Sequence, residues 1–313
     1  MVPFEKLVIG NAAGTVKTPA DVERMCKSAA TRITLGSITA AERSVEKGTA
    51  NVPVPPGDTY FYDEEARESG NALGLPNMGM FKYAQVLERM VRMVREAGKE
   101  FCVSVNGATA EEILKLASFS FAHAADRVEI NLACPNVHDR GSRKSLMCQD
   151  PGLVEEILEK IDKLYSADRS VGIKIAPTRD EQLLEDIASI VNMRKSVREV
   201  VATNTRGGQR FIRHGADMIA FRPPGSDAVV NVGGQAGTPL HEDAVWVAEA
   251  MRHFLDDDVR VIGVGGIFDG KTAFDFVRKG IGGVQCATAY LQYREGIFGY
   301  IANSLLDYMS EDA

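Results

Sequence analysis

No run of the chain approaches the roughly 20 uninterrupted apolar residues that a membrane span needs. The first six residues carry no basic start leading into an apolar stretch, so neither a spanning segment nor a secretory leader is expected. Cysteine is scarce and unpaired: Cys26, Cys102, Cys134, Cys148 and Cys286 are odd in number, and none forms a C-x-x-C pair. A chain of 313 residues can build a core without disulfide staples, so these read as reduced thiols of a cytoplasmic protein. The five histidines are scattered without ligand spacing, which argues against a metal site. A basic tract is missing too. Lys plus Arg number 36 against 43 Asp plus Glu, a net charge of −7, which is a poor basis for holding nucleic acid. The cluster from Arg140 to Lys144 reads as a solvated loop. Low-complexity tracts and internal repeats are absent. Hydrophobic residues at 45% and charged residues at 25% are the balance of a globular protein.

Short β-rich runs alternate with amphipathic helical stretches along the whole chain. The strands are expected at Leu7–Ala12, Arg32–Ile38, Phe101–Val105, Arg127–Leu132, Val171–Ile175, Glu199–Ala202, Val259–Val264 and Gly283–Ala287. Helices are expected at Ala20–Ala30, Phe81–Ala97, Thr109–Ala124, Leu153–Tyr165, Glu181–Val191, Asp243–Leu255, Thr272–Arg278 and Ile297–Met309. Runs such as Val171-Gly172-Ile173-Lys174-Ile175 are β-branched and nearly polar-free, as parallel strands covered on both faces are. Eight such units predict an α/β fold, a (β/α)8 TIM barrel in one domain over residues 1–313, with a doubly wound sheet as the alternative. Thr109 with Glu112 has capping-box spacing, and Asp150-Pro151 pairs an N-cap with a first-turn proline. Residues 43–80 and 206–240 exceed a minimal barrel. They are expected as long loop insertions after strands 2 and 6, walling or covering the site.

Barrel active sites lie at the C-terminal ends of the strands, and those ends carry Asn11-Ala12-Ala13-Gly14, Asn106, Asn131 through Asn136, Lys174, Asn204-Thr205, Gly265-Gly266 and Ala287-Thr288. Gly265-Gly266 opening onto a helix, with Ala287-Thr288 one unit later, suits an anion held by backbone N–H groups. A sugar phosphate and a flavin nucleotide fit that pattern equally, and a tight barrel turn would also use these glycines. Lys174 is the one charge in an apolar strand, costly to bury without an anionic partner; a lysine reaching the surface would look the same. Cys134 follows a strand and is flanked by amides. It could exchange a proton near neutral pH or be a buried structural thiol. Cys26, Cys102, Cys148 and Cys286 have no such company and read as structural. Asn71, Asn131, Asn136 and Asn204 offer donors and acceptors suited to a ring with amide edges, such as a pyrimidine.

These motifs in order resemble the class 1 dihydroorotate dehydrogenase family. The resemblance rests on Asn11-Ala12-Ala13-Gly14, Asn71 through Asn77, Glu129 through Asn136 with Leu-Ala-Cys-Pro-Asn at its centre, Gly172-Ile173-Lys174, Asn204-Thr205, Gly233 through Gly237, and Gly265-Gly266-Ile267 with Ala287-Thr288-Ala289. It implies a TIM barrel that binds FMN and oxidises a dihydropyrimidine, a proton leaving C5 for a base while hydride leaves C6 for flavin N5. Cys134 matches the base. Asn71, Leu73, Gly74, Leu75, Asn131, Asn136, Asn204 and Thr205 match the substrate-binding positions. Ala13, Gly14, Ser37, Asn106, Asn131, Lys174, Gly234, Gly265, Gly266, Ala287 and Thr288 match the flavin-binding ones. The loop 137–149 is expected to close over Cys134. Homodimers occur in the family, as do assemblies with a separate iron-sulfur, FAD-containing electron-transfer subunit; no Fe–S cysteine pattern occurs here. The chain departs from the family at the second strand, where Thr34-Leu35-Gly36-Ser37 stands in place of Thr-Lys-Ser. The cation that would reach a substrate carboxylate is thereby lost, which leaves Arg206 or Arg140 to replace it, or a cyclic amide without a carboxylate as the substrate.

Overall fold

The β-branched runs form strands that pair in parallel and close on themselves. In the computed structural model, which describes residues 2–43, 60–134, 138–139, 142–143, 146–165, 169–211, 221 and 231–311, the barrel strands are β1 (Val8–Asn11), β2 (Arg32–Ile38), β3 (Glu100–Val105), β4 (Arg127–Asn131), β5 (Val171–Ile175), β6 (Val197–Ala202), β7 (Arg260–Val264) and β8 (Gly283–Cys286). Each is bonded to its sequence neighbour, and β8 returns to β1 with Val8 opposite Gly283 and Asn11 opposite Cys286. Helices Pro19–Cys26, Leu87–Glu96, Ala110–Ala122, Pro151–Leu164, Glu181–Asn192, His241–Phe254, Gly270–Val277 and Gly296–Glu311 follow the strands in turn. The fold is the expected (β/α)8 barrel, not the doubly wound sheet.

Alternation along the strands separates two cores. Ile33, Leu35, Phe101, Val103, Val128, Ile130, Ile173 and Val200 pack outward in the large cluster shared with the helices. Val8, Ala12, Val201, Ile262 and Val264 form a separate apolar cluster, which the two-residue alternation of a strand turns to the barrel interior. The other side of that interior is charged. Arg32, buried in β2, donates from Nε to Glu100 at 2.5 Å and from Nη1 to the buried Glu199 at 2.7 Å. Arg127 reaches Glu100 at 3.1 Å. Burial opposes charge on Arg32, but Glu199 and Glu100 outweigh it and tighten its hold on the proton. Burial would likewise raise the Glu100 pKa, yet Arg32 and Arg127 keep it below its usual range. The lattice is incompletely paired: Arg32 Nη2, Glu199 Oε2 and both oxygens of buried Glu129 have no hydrogen-bond partner among the described residues.

Local punctuation mostly follows the sequence. Asp150 accepts from the Leu153 N–H at 3.1 Å ahead of Pro151. Thr109 accepts from Glu112 N–H at 3.2 Å, but the Glu112 carboxylate takes the Ala108 N–H instead of closing the box. The expected helix 81–97 is broken into Gly79–Tyr83 and Leu87–Glu96, and a short helix at Thr288–Tyr293 precedes the last one. The larger difference lies in the insertions. Tyr60–Asp63 and Glu68–Asn71 from the first pair antiparallel with Arg206–Gln209 and Gly233–Gly237 from the second, forming one four-stranded sheet. A small aromatic core of Phe61, Phe211 and Phe221 packs with Ala72 against it. Pairing across more than 130 residues, in glycine-rich runs of four or five, leaves no periodicity to read.

A buried pair is most costly when one partner is removed. Arg32→Met should lower unfolding stability in urea by about 3–5 kcal/mol, and adding Glu199→Met should recover most of the loss. Equal stability of the single variant and the parent would show that the charges do not hold the floor. Because Glu100 is depressed, its contribution is complete above the ordinary value of 4.5 and fades as pH falls through the lowered folded value; an acid titration of stability reads this directly.

Candidate functional site

The strand ends converge on a cavity of about 330 Å³, within the usual size of small-molecule sites. A smaller one of about 60 Å³ adjoins it, and Ala13, Lys174, Asn204, Thr205, Ala236 and Ala287 line both. The larger cavity is walled by the barrel mouth on one side. The added sheet supplies Tyr60, Ser69, Asn71 and Ala236 on the other, and Ser69 Oγ lies 2.8 Å from Thr288 Oγ1, tying that sheet to the end of β8. The insertions are therefore walls, as the sequence suggests, but walls made of strands.

Of the positions expected to touch a substrate, Asn71, Leu73, Gly74, Leu75, Asn131, Asn204 and Thr205 line the large cavity together with Cys134. Asn136 and, in the loop 137–149, residues 137, 140–141 and 144–145 lie outside the described residues. Of that loop, a two-residue antiparallel pair (His138–Asp139 with Ser142–Arg143) and the turn Met147–Gln149 are described. Of the positions expected to hold a cofactor, Ala13, Gly14, Ser37, Asn131, Lys174 and Ala287 line the large cavity, and Gly265, Gly266 and Thr288 the small one. Asn106 and Gly234 stand outside both linings. Asn106 donates to the Asn131 carbonyl at 2.7 Å, and Gly234 sits opposite Asn71 in the sheet.

The amides are held before any ligand arrives. Asn131 Oδ1 accepts from Asn204 Nδ2 at 3.0 Å and from the Ala133 N–H at 3.2 Å, while its Nδ2 donates to Ser37 Oγ at 2.9 Å. Ser37 Oγ in turn lies 2.9 Å from Ser104 Oγ. One Asn131 N–H is left for a ligand, and Asn204 keeps its second N–H. The rim at Leu73–Pro76 is equally fixed. Gly74 and Leu75 both have positive φ, at 63° and 61°, unusual for a leucine. Arg43 Nη1 grips the Gly74 carbonyl at 2.8 Å and Asn77 Nδ2 the Leu75 carbonyl at 2.9 Å.

Lys174 is 3% exposed and its Nζ makes no hydrogen bond or ion pair among the described residues, while the residue lines both cavities. The two glycines that follow β7 have another reason for their identity. A Cβ on Gly265 would lie 2.5 Å from Ala244 Cβ, and one on Gly266 2.7 Å from His241 Cβ. Both have positive φ, so the turn itself demands glycine. The helix that follows opens on a completed capping box between Asp269 and Thr272, and Ser304 Oγ takes the Gly270 N–H at 2.8 Å. That helix start is capped by protein groups, whereas the short helix Thr288–Tyr293 after β8 has no side-chain cap; Gly265, Gly266 and Thr288 line the small cavity.

Sequence reading passed over Thr15, Lys17, Tyr60, Ser69, Ala236 and Leu291, which also line the large cavity. Lys17 could have been flagged, since it is a charged residue on the loop after β1, at the catalytic face of a barrel. Tyr60 and Ser69 had no signal, because their sheet exists only through long-range pairing. Burial raises the thiols of Cys148 and Cys286, to about 11 and about 12, in line with structural roles. Among the described residues no group of His, Cys, Asp and Glu could hold a metal, and no helix is long and apolar enough to cross a membrane. Arg206 is engaged by Asp243 and Gln235 and so is not a free cation, and Arg140 lies outside the described residues. Leu35 is fully buried in the outer core.

Comparison with known proteins gives a consistent neighbourhood. The family model for dihydroorotate dehydrogenase matches residues 4–309. A putative dihydroorotate dehydrogenase A (fumarate) of Streptococcus equi is 30% identical over 253 residues, 80% of this chain and 76% of that protein. The catalytic subunit of dihydroorotate dehydrogenase B (NAD(+)) of Methanopyrus kandleri is 32% identical over 236 residues, covering 74% and 67%. In fold, the chain is similar to the crystal structure of DHODH from Eimeria tenella in complex with ferulenol, with TM-score 0.77, 20% identity and coverage of 99% and 84%.

An unpaired buried ammonium destabilises the barrel that contains it. Compared with parent protein stripped of small molecules, Lys174→Met should therefore be more stable to urea, gaining about 1–3 kcal/mol. A loss of that size in the variant would mean that Lys174 has a protein partner.

Proposed function

The chain belongs to the dihydroorotate dehydrogenase family, and we propose that it oxidises dihydroorotate to orotate with FMN as cofactor and Cys134 as the base. The observation that carries this reading is the meeting, on one cavity at the barrel mouth, of Cys134, the Asn71–Asn131–Asn204 amides and an unpaired Lys174.

The residues fit a flavin nucleotide. Lys174 is a buried cation lacking an anion, and a flavin's N1–C2 edge becomes negative on reduction. The small cavity lined by Gly265, Gly266 and Thr288 would take the phosphate end. Gly14, with φ of 102° and nothing within 4 Å of its Cβ direction, leaves room for a ring against the end of β1. Ala13, Ser37 and Ala287 would complete this wall. Bound FMN would supply the hydride acceptor.

The chain's own residues do the rest. Asn71, Asn131 and Asn204 orient the pyrimidine edges, Asn131 and Asn204 with the N–H groups the described residues leave unused. Their prior bonding lowers the entropy lost on binding. Asn204 is set by its own chain, its Oδ1 accepting the Thr205 N–H at 2.8 Å. Leu73, Leu75 and Pro76 exclude water from the rim. Cys134 Sγ removes the C5 proton as hydride leaves C6, so a C5=C6 double bond forms and the thiol carries the proton until it is lost to solvent. General base catalysis of this kind is worth about 10²–10⁴-fold.

One observation favours a second reading. Leu35 points into the outer core, so β2 offers no cation to a carboxylate, and a neutral dihydropyrimidine or related cyclic amide would need none. Relatives of both electron-acceptor types match the chain; its assembly is read as a homodimer, with an iron-sulfur, FAD-containing subunit as the route to NAD.

Purified protein should be yellow, and anaerobic dihydroorotate should bleach the flavin band. A yellow protein bleached by dihydrouracil alone would select the second reading, and a colourless one would reject both. Re-oxidation by fumarate or by NAD names the acceptor. Cys134→Ser should keep its colour while bleaching slows about 10²-fold or more; an unchanged rate would remove Cys134 from the mechanism.

A further inference from the structure

We propose that Arg206 is a positioning residue for the oxidation: its guanidinium locks the wall that carries Asn71 to the barrel that carries Asn131 and Asn204, and so fixes the gap in which the substrate ring lies. The inference rests on the oxidation proposed above and adds to it a residue that touches neither substrate nor cofactor.

The first support is where Arg206 sits. It follows Asn204 and Thr205 directly, at the point where the chain leaves the barrel after β6 and enters the strand Arg206–Gln209 of the side sheet. Asn204 is fastened to the barrel, its N–H donating to the Ile175 carbonyl at 2.8 Å and its Nδ2 to Asn131 Oδ1 at 3.0 Å. Asn71 belongs to the side sheet, on the other wall of the same cavity. A ring held by amides from both walls is sensitive to the distance between them. A strand that leaves the barrel through one backbone link can pivot about it.

The second support is what the guanidinium grips. Nη2 donates to Asp243 Oδ2, in the first turn of the helix His241–Phe254, and Nη1 to Gln235 Oε1 at 3.1 Å. Gln235 Nε2 donates in turn to Glu68 Oε1 at 2.6 Å. One side chain thus joins a barrel helix to three neighbouring strands of the sheet: its own, that of Gln235 and that of Glu68. Gln235 lies opposite Gly70, and the next pair along is Gly234 with Asn71, so the line from Asp243 to the backbone of Asn71 is continuous. Asp243 is itself held. Arg179 Nε donates to its other oxygen at 2.8 Å, and the Arg179 guanidinium lies 4.9 Å from the Trp246 ring centroid. The carboxylate also sits where a helix N-terminus favours negative charge.

The third is the division of labour around the sheet. Beside β8, Ser69 Oγ meets Thr288 Oγ1 at 2.8 Å and Glu64 accepts from Gln292 at 2.9 Å. Arg206 supplies the anchor beside β6. Two separated anchors fix an orientation that either alone leaves free. Arg206, Gln235 and Asp243 line neither cavity, so their part is played through the wall and not on the contents. The Arg206 and Asp243 side chains are 31% and 25% exposed, and pairs this open to solvent add little to stability. What a forked, planar guanidinium supplies is direction, since an ammonium in its place has no fork with which to hold both partners.

The test compares wild type with Arg206→Met, Asp243→Asn, the double variant and Arg206→Lys as flavin-loaded proteins. Binding of orotate and of uracil is read from perturbation of the flavin spectrum. KM and kcat are measured with the dihydropyrimidine that bleaches wild type, and urea midpoints report folding. Arg206→Met should keep the flavin content and urea midpoint of wild type. Its product affinity and its kcat/KM per bound flavin should each fall about 10- to 100-fold, most of the loss lying in KM. Asp243→Asn should show the same loss in weaker form. The double variant should be no worse than Arg206→Met, because both substitutions remove one contact, and Arg206→Lys should recover part of the loss. Unchanged product binding in Arg206→Met overturns the proposal and leaves the oxidation standing. Losses that multiply in the double variant overturn it too, the two residues then acting separately. A loss confined to orotate, with uracil bound as in wild type, makes Arg206 a carboxylate ligand and not a positioning residue. Should Arg206→Met not fold, Asp243→Asn decides, wild-type product affinity there overturning the proposal. A wild-type flavoprotein indifferent to both orotate and uracil overturns the proposal together with the reading beneath it.

Discussion

A closed barrel of eight strands has an interior that side chains must fill, and here the fill is divided between charge and hydrocarbon. Arg32, Glu100, Arg127 and Glu199 join β2, β3, β4 and β6 at one level, and Val8, Ala12, Val201, Ile262 and Val264 supply the apolar side. Ion pairs in such a place contribute little net stability, because desolvation offsets their attraction. They do penalise any register that would strand a charge. A one-residue slip in β2 would turn Arg32 outward and leave Glu199 with only the longer Arg127 contact at 3.9 Å, and the same slip would move Ser37 away from Asn131 at the mouth.

Above the floor, the structure uses hydrogen bonds to fix residues whose task is to meet a ligand. Asn131 is the hub: Asn106 holds its carbonyl, Ser37 its amide nitrogen, and Asn204 with the Ala133 N–H its amide oxygen. Residues expected to touch a cofactor thus divide into those on the cavity wall and those, like Asn106, that hold the wall in place. Both groups sit on rigid elements, which is how a site keeps its geometry to within a fraction of an ångström.

The four-stranded sheet changes what the insertions mean. Two long segments that follow β2 and β6 are made interdependent by the pairs Gly234–Asn71 and Ala236–Ser69, so the wall carrying Asn71 and Tyr60 cannot shift without its partner. Close approach is built in. Gly70 leaves space that the Phe211 ring fills, since a Cβ there would lie 2.5 Å from it. The cavity is consequently shaped by contacts far apart in the chain, and its cationic character comes from Lys17 and Lys174, one on a loop and one on a strand.

Sequence alone determined the barrel, because eight alternations of β-branched runs with amphipathic helices have few compact solutions, and strand ends in a barrel meet on one face whatever their separation. That sufficed to bring Cys134, Asn71, Asn131, Asn204 and Lys174 to one candidate site before any coordinates. It could not show which glycines serve a ligand and which serve a turn, since Gly265 and Gly266 are required by Ala244 and His241, residues of the preceding helix. Nor could it show the side sheet, whose strands are too short and glycine-rich to carry a period. Tertiary structure alone decided that Leu35 faces the helices while Lys17 faces the cavity. Which side of a wall a side chain takes depends on the packing of both faces at once, and that balance is not written in the residue or its neighbours.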